Sequence, residues 1–397
     1  MTEDAFKKDF ENVLSYHFQN KKFKTVNRSF FEAVAENLDE NYKFSTPWTV
    51  SWQINSNCNL RCKHCFFEGD DSLYNTDGDL CAEELSKIAQ NLHEKFNTIA
   101  VSLTGGETLL CKSIFDLLKQ LKNSGIIVSL QTNGTLLTRE KAQKLASILN
   151  KETDFVQISL DGSCAEIYDA VRGKGNYEKA INAIKYLTEQ GIRVNVNCTP
   201  TSYNDFDLFE LYKLCDECNV SKFSISAFVP CFEEQTKMLP DFETIIREAS
   251  KIINSAKSTF FEFNYRFYDF VQNSRLRALA DDYIKEKKPP SGVVWDLICH
   301  KHNTLFINSK GKVYLCFGCE ACSEPIGDCK KDSLEEIWNN RFKNIFFNKR
   351  LAKEMKCKAC KYFSYCKGGC MASAYKKYKD INAPDGLCRY AEEIFQN

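Results

Sequence analysis

The chain reads as an α/β protein in which βα repeats build a parallel sheet, followed by a small cysteine-rich domain. Three observations predict this. Short β-branched or apolar runs alternate with helical stretches six times between residues 50 and 228. A charged, turn-rich break, Lys287-Lys288-Pro289-Pro290-Ser291-Gly292, then interrupts the pattern. Beyond it lie short strands, loops and a dense set of cysteines.

Residues 1–46 read as helices: Phe6, Phe10, Val13, Leu14 and His17 recur on one helical face, as do Phe30, Val34 and Leu38. Strands are predicted over 50–54, 98–103, 126–132, 155–160, 193–199 and 223–228, with helices over 82–95, 113–124, 138–149, 177–190 and 205–217 between and after them. Such alternation means a parallel sheet, either open and doubly wound or curved into a partial barrel. In both, a ligand belongs at the C-terminal strand ends. A further helix is expected over 241–256, then an aromatic stretch, FFEFNYRFYDF. The C-terminal part shows strands at 304–307 and 312–315 and a helix at 334–338. With so little regular structure, metal cross-links are a plausible means of holding it.

Lys+Arg and Asp+Glu both number 53, so the formal net charge is zero and the pI about 6.9. A nucleic-acid binder usually carries a basic excess, so no nucleic-acid partner is expected. The 43% hydrophobic content supports a large core. No apolar run approaches the roughly 18 residues that span a bilayer, and the opening MTEDAFKKDF is too charged for a signal-peptide core. The expected location is cytoplasmic, with no membrane partner. Twenty cysteines in a reducing compartment stay available to metals, which argues against a disulfide framework.

Directly after the first strand comes Cys58-Asn-Leu-Arg-Cys62-Lys-His-Cys65. Three thiolates this close can each bind a corner of a cubane iron–sulfur cluster and leave the fourth iron open to a ligand. A zinc site or three core cysteines are the blander readings. The spacing resembles the hallmark of radical S-adenosylmethionine (radical SAM) enzymes, which implies a partial (β/α)6 TIM-like barrel and a [4Fe-4S] cluster that binds SAM. Other landmarks of the family follow in order. Thr104-Gly105-Gly106-Glu107-Thr108 is similar to the segment that meets the amino group of SAM, with Thr108 where the family usually has proline. Ser159-Leu160-Asp161-Gly162, followed by Arg172-Gly173, is similar to the family's ribose-contacting serine and carboxylate-pairing arginine. Gln131-Thr132-Asn133-Gly134 closes the third strand, and Asn133 is expected to line the same pocket. Read alone, the glycine pair is an ordinary turn and Arg172 a surface residue.

The later cysteines fall at Cys299, then Cys316 after Gly311, then Cys357, Cys360, Cys366 and Cys370, and finally Cys388. Their spacing resembles the SPASM domain, a C-terminal extension of radical SAM enzymes. The resemblance implies two auxiliary [4Fe-4S] clusters, one on Cys299, Cys316 and Cys370, the other on Cys357, Cys360, Cys366 and Cys388. In isolation Cys357 and Cys360 would read as half of a zinc ribbon. The first auxiliary set is one ligand short. His300 and His302 lie in the gap, Cys319 and Cys322 follow soon after, and an open iron that takes a substrate thiolate is the third alternative.

The implied domains are a helical segment, 1–46, a radical SAM core, 47–286, and a SPASM domain, 287–397. The implied activity is oxidative maturation of a ribosomally made peptide by a 5′-deoxyadenosyl radical, forming a thioether or carbon–carbon crosslink, with flavodoxin or ferredoxin as electron donor. No catalytic side chain stands out. Sulfatase maturation uses an Asp directly after the second SPASM cysteine, and Phe317 stands there instead. A tetrapyrrole or small-molecule dehydrogenase or decarboxylase is the other enzymatic alternative; an iron–sulfur or zinc scaffold, or an electron-transfer protein, is the non-enzymatic one. The N-terminal segment is short for a winged-helix leader-binding domain and is expected to cap the barrel. Cys215 and Cys218, one helical turn apart, read as packing, and His64 as a loop side chain.

Overall fold

Alternation of apolar and polar residues along each strand decides which face of the sheet takes helices and which stays open. In the computed structural model, which describes residues 2–20, 46–66, 75–255, 257–285, 304–347 and 354–395, strands β1 (Thr49–Gln53), β2 (Ala100–Thr104), β3 (Ile127–Thr132), β4 (Phe155–Ser159), β5 (Val194–Cys198), β6 (Lys222–Ser226) and β7 (Phe260–Asn264) lie side by side in chain order, all parallel. An unreversed order means that every right-handed crossover turns the same way, so the helices share one face and the sheet curls around the other. This decides for the partial barrel; a doubly wound sheet would reverse its order. Expectations on Phe30, Val34 and Leu38, on the break at 287–292, and on Cys299, His300 and His302 lie outside the described residues.

The helices are α1 (Glu3–Asn20), α2 (Ala82–Glu94), α3 (Ile114–Asn123), α4 (Arg139–Ile148), α5 (Ala165–Arg172), α6 (Tyr177–Glu189), α7 (Leu208–Glu217), α8 (Phe242–Asn254) and α9 (Ser274–Lys285). Val50, Trp52, Val101, Leu103, Val128, Leu130, Val156 and Ile158 point outward from the strands and are buried against helix residues such as Leu85, Leu117 and Ile184. Each fully buried side chain of this kind stabilises the fold by roughly 1.5–3 kcal/mol. Cys215 and Cys218 are buried in the same layer, as packing required.

Three features exceed the sequence reading. The aromatic stretch contains β7, whose Phe261 and Phe263 join the core. Helix α5, only 8 residues long, was not anticipated. After the break, β8 (Thr304–Ile307) pairs in parallel with β1, and β9 (Lys312–Tyr314) and β10 (Gly327–Asp328) continue antiparallel, so the C-terminal segment extends the barrel sheet to ten strands. Helix α1 lies along α8, with Tyr16 donating to Phe261 O at 2.6 Å; it covers the flank beside β7. No described helix is long and apolar enough to cross a membrane.

Candidate active site at the strand ends

The loop leaving β1 is fixed by the loop leaving β2. Gly106 N donates to Asn55 O at 3.0 Å and Glu107 N to Asn57 O at 2.7 Å. A Cβ on Gly105 would lie 2.1 Å from Asn55 Oδ1, and one on Gly106 2.3 Å from Asn57 O. The glycine pair is therefore required by the approach of these two backbones. Cys58, Cys62 and Cys65 follow on the loop so anchored, Cys62 buried and the others half-buried. Each lies within electrostatic reach of the other two, and burial above all pushes the Cys62 thiol up to about 12. Binding to metal would deprotonate these thiols. Gln235, far along the chain, donates from Nε2 to Lys63 O at 3.1 Å and Cys65 O at 3.0 Å. No sequence signal singled it out.

Glu107 is buried, and its carboxylate accepts from Thr132 Oγ1 at 2.6 Å, Asn133 N at 2.7 Å and Leu109 N at 3.0 Å. Burial raises its pKa against these bonds. Asn133 in turn donates to Asn59 Oδ1 at 3.1 Å and lies 3.9 Å from Cys58 Sγ. Glu107 and Asn133 thus tie the ends of β2 and β3 to the cysteine loop.

Beneath Cys62 sits a buried ion pair. Arg172, the last residue of α5, donates from Nε to Asp161 Oδ2 at 2.5 Å, with Nη1 3.8 Å from Cys62 Sγ and Nη2 3.5 Å from His64 Nε2. Asp161 Oδ2 is also 3.2 Å from His64 Nε2, and Oδ1 accepts from Thr199 N at 2.8 Å. Burial acts to raise the Asp161 pKa, but Arg172 and His64 outweigh it and hold the carboxyl below its ordinary range. Burial lowers His64 to about 4, so its ring is neutral near pH 7. The sequence reading had Arg172 facing the carboxylate of a ligand; here it faces Asp161 and the cysteine loop. His64, read as an ordinary loop side chain, is part of the same buried group.

Inside the barrel the strands present polar layers. Ser51, Ser102 and Ser129 stand in register, then Gln131, Gln157 and Asn195, then Ser159, Asn197 and Ser224. Ser129 Oγ is 2.9 Å from Ser102 Oγ, and Asn197 Oδ1 accepts from Ser226 at 2.9 Å and Ser224 at 3.2 Å. A closed TIM barrel packs this space with branched apolar side chains; here a cavity of about 1080 Å³ opens at the N-terminal ends of the strands, lined by Ser51, Ser102 and Ser129 of the first layer together with Phe306, Phe317, Cys316 and the charged Arg266 and Lys376. On the strand walls the cation Lys222 is paired with Glu262 at 2.9 Å.

Among the C-terminal cysteines, Cys357, Cys360, Cys366 and Cys388 form one neighbourhood: Cys366 is within electrostatic reach of Cys357 and Cys360, and Cys388 of Cys366 and Cys360. Burial, ahead of these neighbours, pushes both Cys366 and Cys388 up to about 12. Cys316 and Cys370 lie within electrostatic reach of each other. Among the described residues no three Cys, His, Asp or Glu side chains gather tightly enough to grip a single ion. A four-iron cube spreads its corners farther apart, and an all-thiolate donor set in threes and fours fits that group.

The family model described as the Radical SAM superfamily matches residues 52–215, and the SPASM model, described as an iron-sulfur cluster-binding domain, matches residues 299–361. The chain is 26% identical over 359 residues to the AdoMet-dependent heme synthase of Nitratidesulfovibrio vulgaris, covering 86% of this chain and 92% of that protein. It is 25% identical over 358 residues to mycofactocin maturase MftC of Mycolicibacterium smegmatis, covering 86% and 82%. Streptococcus suis SuiB bound to precursor peptide SuiA has the same fold, with a TM-score of 0.69 at 17% identity, over 92% of this chain and 81% of that one. With a cysteine loop at the head of the first matched segment and a returning hairpin within the second, the chain belongs to the radical SAM superfamily, as a redox enzyme with a SPASM extension.

Proposed function

We propose that the chain is a peptide maturase that removes hydrogen from a ribosomally made peptide and forms a thioether or carbon–carbon crosslink. The observation that carries this reading is the set of uncharged hydrogen-bonding side chains, serine, glutamine and asparagine, that stand in register on neighbouring strands. Peptide groups and uncharged side chains pair with serine, asparagine and glutamine without desolvating a charge. Asn197, whose Oδ1 already accepts from two serines, keeps its amide N–H groups for such a partner. The likeness to mycofactocin maturase MftC, and to SuiB in complex with a precursor peptide, supports the same direction.

On this reading Cys58, Cys62 and Cys65 hold the SAM-binding cluster, and Cys357, Cys360, Cys366 and Cys388 an auxiliary one, with another at Cys316 and Cys370. Gly105, Gly106 and Glu107 offer the SAM amino group backbone carbonyls and the remaining acceptor capacity of a fixed carboxylate. Ser159 faces the ribose, Asn133 closes the pocket beside Cys58, and Arg172 places positive charge against Cys62 while Asp161 orients it. Bound and reduced, the cofactor set supplies one-electron chemistry: cleavage of SAM to methionine and a 5′-deoxyadenosyl radical, removal of a hydrogen atom from substrate, and an acceptor for the electron left when the new bond forms. Flavodoxin or ferredoxin is the proposed electron donor.

A second reading, modification of a tetrapyrrole, is favoured by the heme-synthase similarity. A tetrapyrrole brings several carboxylates; Lys222 on the strand walls is already paired, and Arg266, Lys376 and Lys377 in the cavity lining are the cations that would meet them. Anaerobically reconstituted protein given SAM and dithionite separates the two. A synthetic precursor peptide encoded beside the gene is expected to raise 5′-deoxyadenosine release and to lose two hydrogens by mass. Release stimulated by a carboxylate-bearing tetrapyrrole and not by the peptide overturns the peptide reading.

A further inference from the structure

We propose that Arg266, with Lys376 on the lining of the same cavity, forms a subsite that takes a carboxylate of the substrate. This deepens the proposed reaction and rests on it for the nature of the molecule bound.

Arg266 follows β7 and caps the short 3-10 helix Phe267–Val271. Its Nη1 is buried and has no hydrogen-bond partner among the described residues. A guanidinium does not shed its proton in a protein, so the charge stays. An enclosed charged donor without an acceptor is costly, and native structures satisfy nearly all of theirs. Two carboxylates act on Arg266 through charge alone, and both are engaged elsewhere. Asp385 accepts from Cys370 N at 2.7 Å, Ser373 Oγ at 2.6 Å and Leu387 N at 3.0 Å. Asp269 accepts from Arg266 N at 2.8 Å, and burial pushes it up to about 7, so part of it is uncharged at neutral pH. The Tyr268 phenol beside them is held neutral by burial.

The charged residues on the cavity lining are Arg266, Lys376, Lys377 and Asp385. Lys377 is paired with Glu392, which leaves Arg266 and Lys376 against Asp385 alone. Lys376, on the helix Met371–Tyr378, is exposed and forms no ion pair among the described residues. Its charge acts on Cys231, which also feels Cys65, and on Cys322. The ammonium is therefore within electrostatic reach of thiols on both sides of the lumen. Arg266 acts on Cys370 as well, yet a role confined to that thiol would leave Lys376 without part in it.

Much of the remaining wall is apolar. Phe66, next after Cys65, packs on Phe317 with ring centroids 4.4 Å apart, and Phe317 on Phe306 at 5.3 Å. Low-polarity walls strengthen an ion pair formed between them, and the rings offer a shelf for an apolar group beside the acid. A carboxylate suits the guanidinium because its two oxygens match the planar fork. Such a contact fixes one point of a flexible substrate and so decides which of its C–H bonds is presented.

The test uses the full chain, reconstituted anaerobically with SAM and dithionite, and reads KM and kcat from 5′-deoxyadenosine release. The precursor peptide encoded beside the gene is compared with a form whose Asp and Glu are replaced by Asn and Gln, and with a C-terminally amidated form. One neutral form should raise KM about 10- to 100-fold, and which one does so names the source of the carboxylate. Arg266→Gln should raise KM for the native peptide about 10- to 100-fold and Lys376→Gln about 2- to 5-fold, with kcat changed far less. Both variants should be indifferent to the substitution that harms wild type, and Arg266→Lys should recover part of the loss. Because Lys376 is exposed, its variant reads the charge without disturbing the fold. If a carboxylate-bearing tetrapyrrole is turned over and the peptide is not, the peptide reading falls; the subsite then stands if the free acid outbinds its methyl ester by about 10- to 100-fold. The inference is overturned if wild type treats acidic and neutral forms alike, or if the losses from variant and peptide simply multiply. It is equally overturned if Arg266→Gln leaves KM unchanged and shifts only the midpoint potential of an auxiliary cluster in an EPR titration.

Discussion

Asp161→Asn tests how the cysteine loop is held, because it keeps the shape of the side chain and removes its charge. Asp161 is fully buried, 2.5 Å from Arg172 Nε and 3.2 Å from His64 Nε2. Without it, Arg172 is a buried cation whose neighbours among the described residues include a neutral imidazole, a thiol and the Tyr168 phenol, and no carboxylate within hydrogen-bond reach. Breaking a buried pair by removing one partner costs about 3–5 kcal/mol. The amide can still accept from Thr199 N, which puts the expected loss near the lower end, about 3 kcal/mol. Urea unfolding at pH 7.5, followed by fluorescence of the buried Trp52 and Trp338, reads the difference. Asp161→Asn combined with Arg172→Met strands no charge and should cost at least about 1 kcal/mol less than the single losses summed. The sign with pH is fixed as well. A carboxyl held below its ordinary 3.8 contributes stability above that value and loses it as pH falls through the depressed one, so the variant's deficit should shrink in acid. A loss under about 1 kcal/mol, or single losses that simply add, refutes the reasoning.

Gly106→Ala would push a Cβ to 2.3 Å from Asn57 O and displace the cysteine loop; iron analysis should show about four atoms lost while the C-terminal cysteines keep theirs. Gln235→Ala leaves Lys63 O and Cys65 O without their side-chain donor, a local cost of about 1–3 kcal/mol, and should speed iron loss to a chelator followed by absorbance; unchanged release argues against an anchoring role. Asp269 is buried and pushed up to about 7, so the stability its protonated form gives is present at low pH and fades as pH rises from 3.8 towards 7, by up to about 4 kcal/mol. Asp269→Asn should flatten that decline, and urea midpoints at pH 5 and 8 that fall equally in both proteins would count against it.

What the sequence made legible follows from how each feature is encoded. The six βα repeats could be read because outward residues such as Val101 and Leu103 alternate with inward ones such as Ser102, a pattern local to each strand. β7 escaped because an almost unbroken aromatic run hides its alternation, and the return of β8 to β1 escaped because strand pairing over such a separation leaves no local mark. At the site, motif spacing located Cys58, Cys62 and Cys65, and the structure surrounds them with Gly105, Gly106, Glu107 and Asn133. Gln235 could not be found in advance, since it acts through two backbone carbonyls that no residue identity advertises. Asp161 and His64 were both visible within motifs, yet their joint burial with Arg172 depends on where α5 ends.

The re-entry of the chain beside β1 gives the two ends of the lumen different chemistry. Cys58 follows the C-terminal end of β1, whereas Cys316 follows β9, where Leu315 O accepts from Thr304 Oγ1 at 3.5 Å. Thr304 begins β8 and pairs with Thr49, the first residue of β1. The two groups of thiols are therefore offset along β1, whose 5 residues extend roughly 16 Å, with the polar layers between them. If an electron enters at one end and leaves at the other, a side chain held in those layers lies on the way, and a direct passage between the two groups of thiols must cross the space it occupies. Layers of uncharged side chains, with Lys222 neutralised by Glu262, serve this arrangement, because an unpaired charge midway would shift the energy of every charged state passing it. The serine, glutamine and asparagine layers can orient an amide while leaving that electrostatic path nearly level.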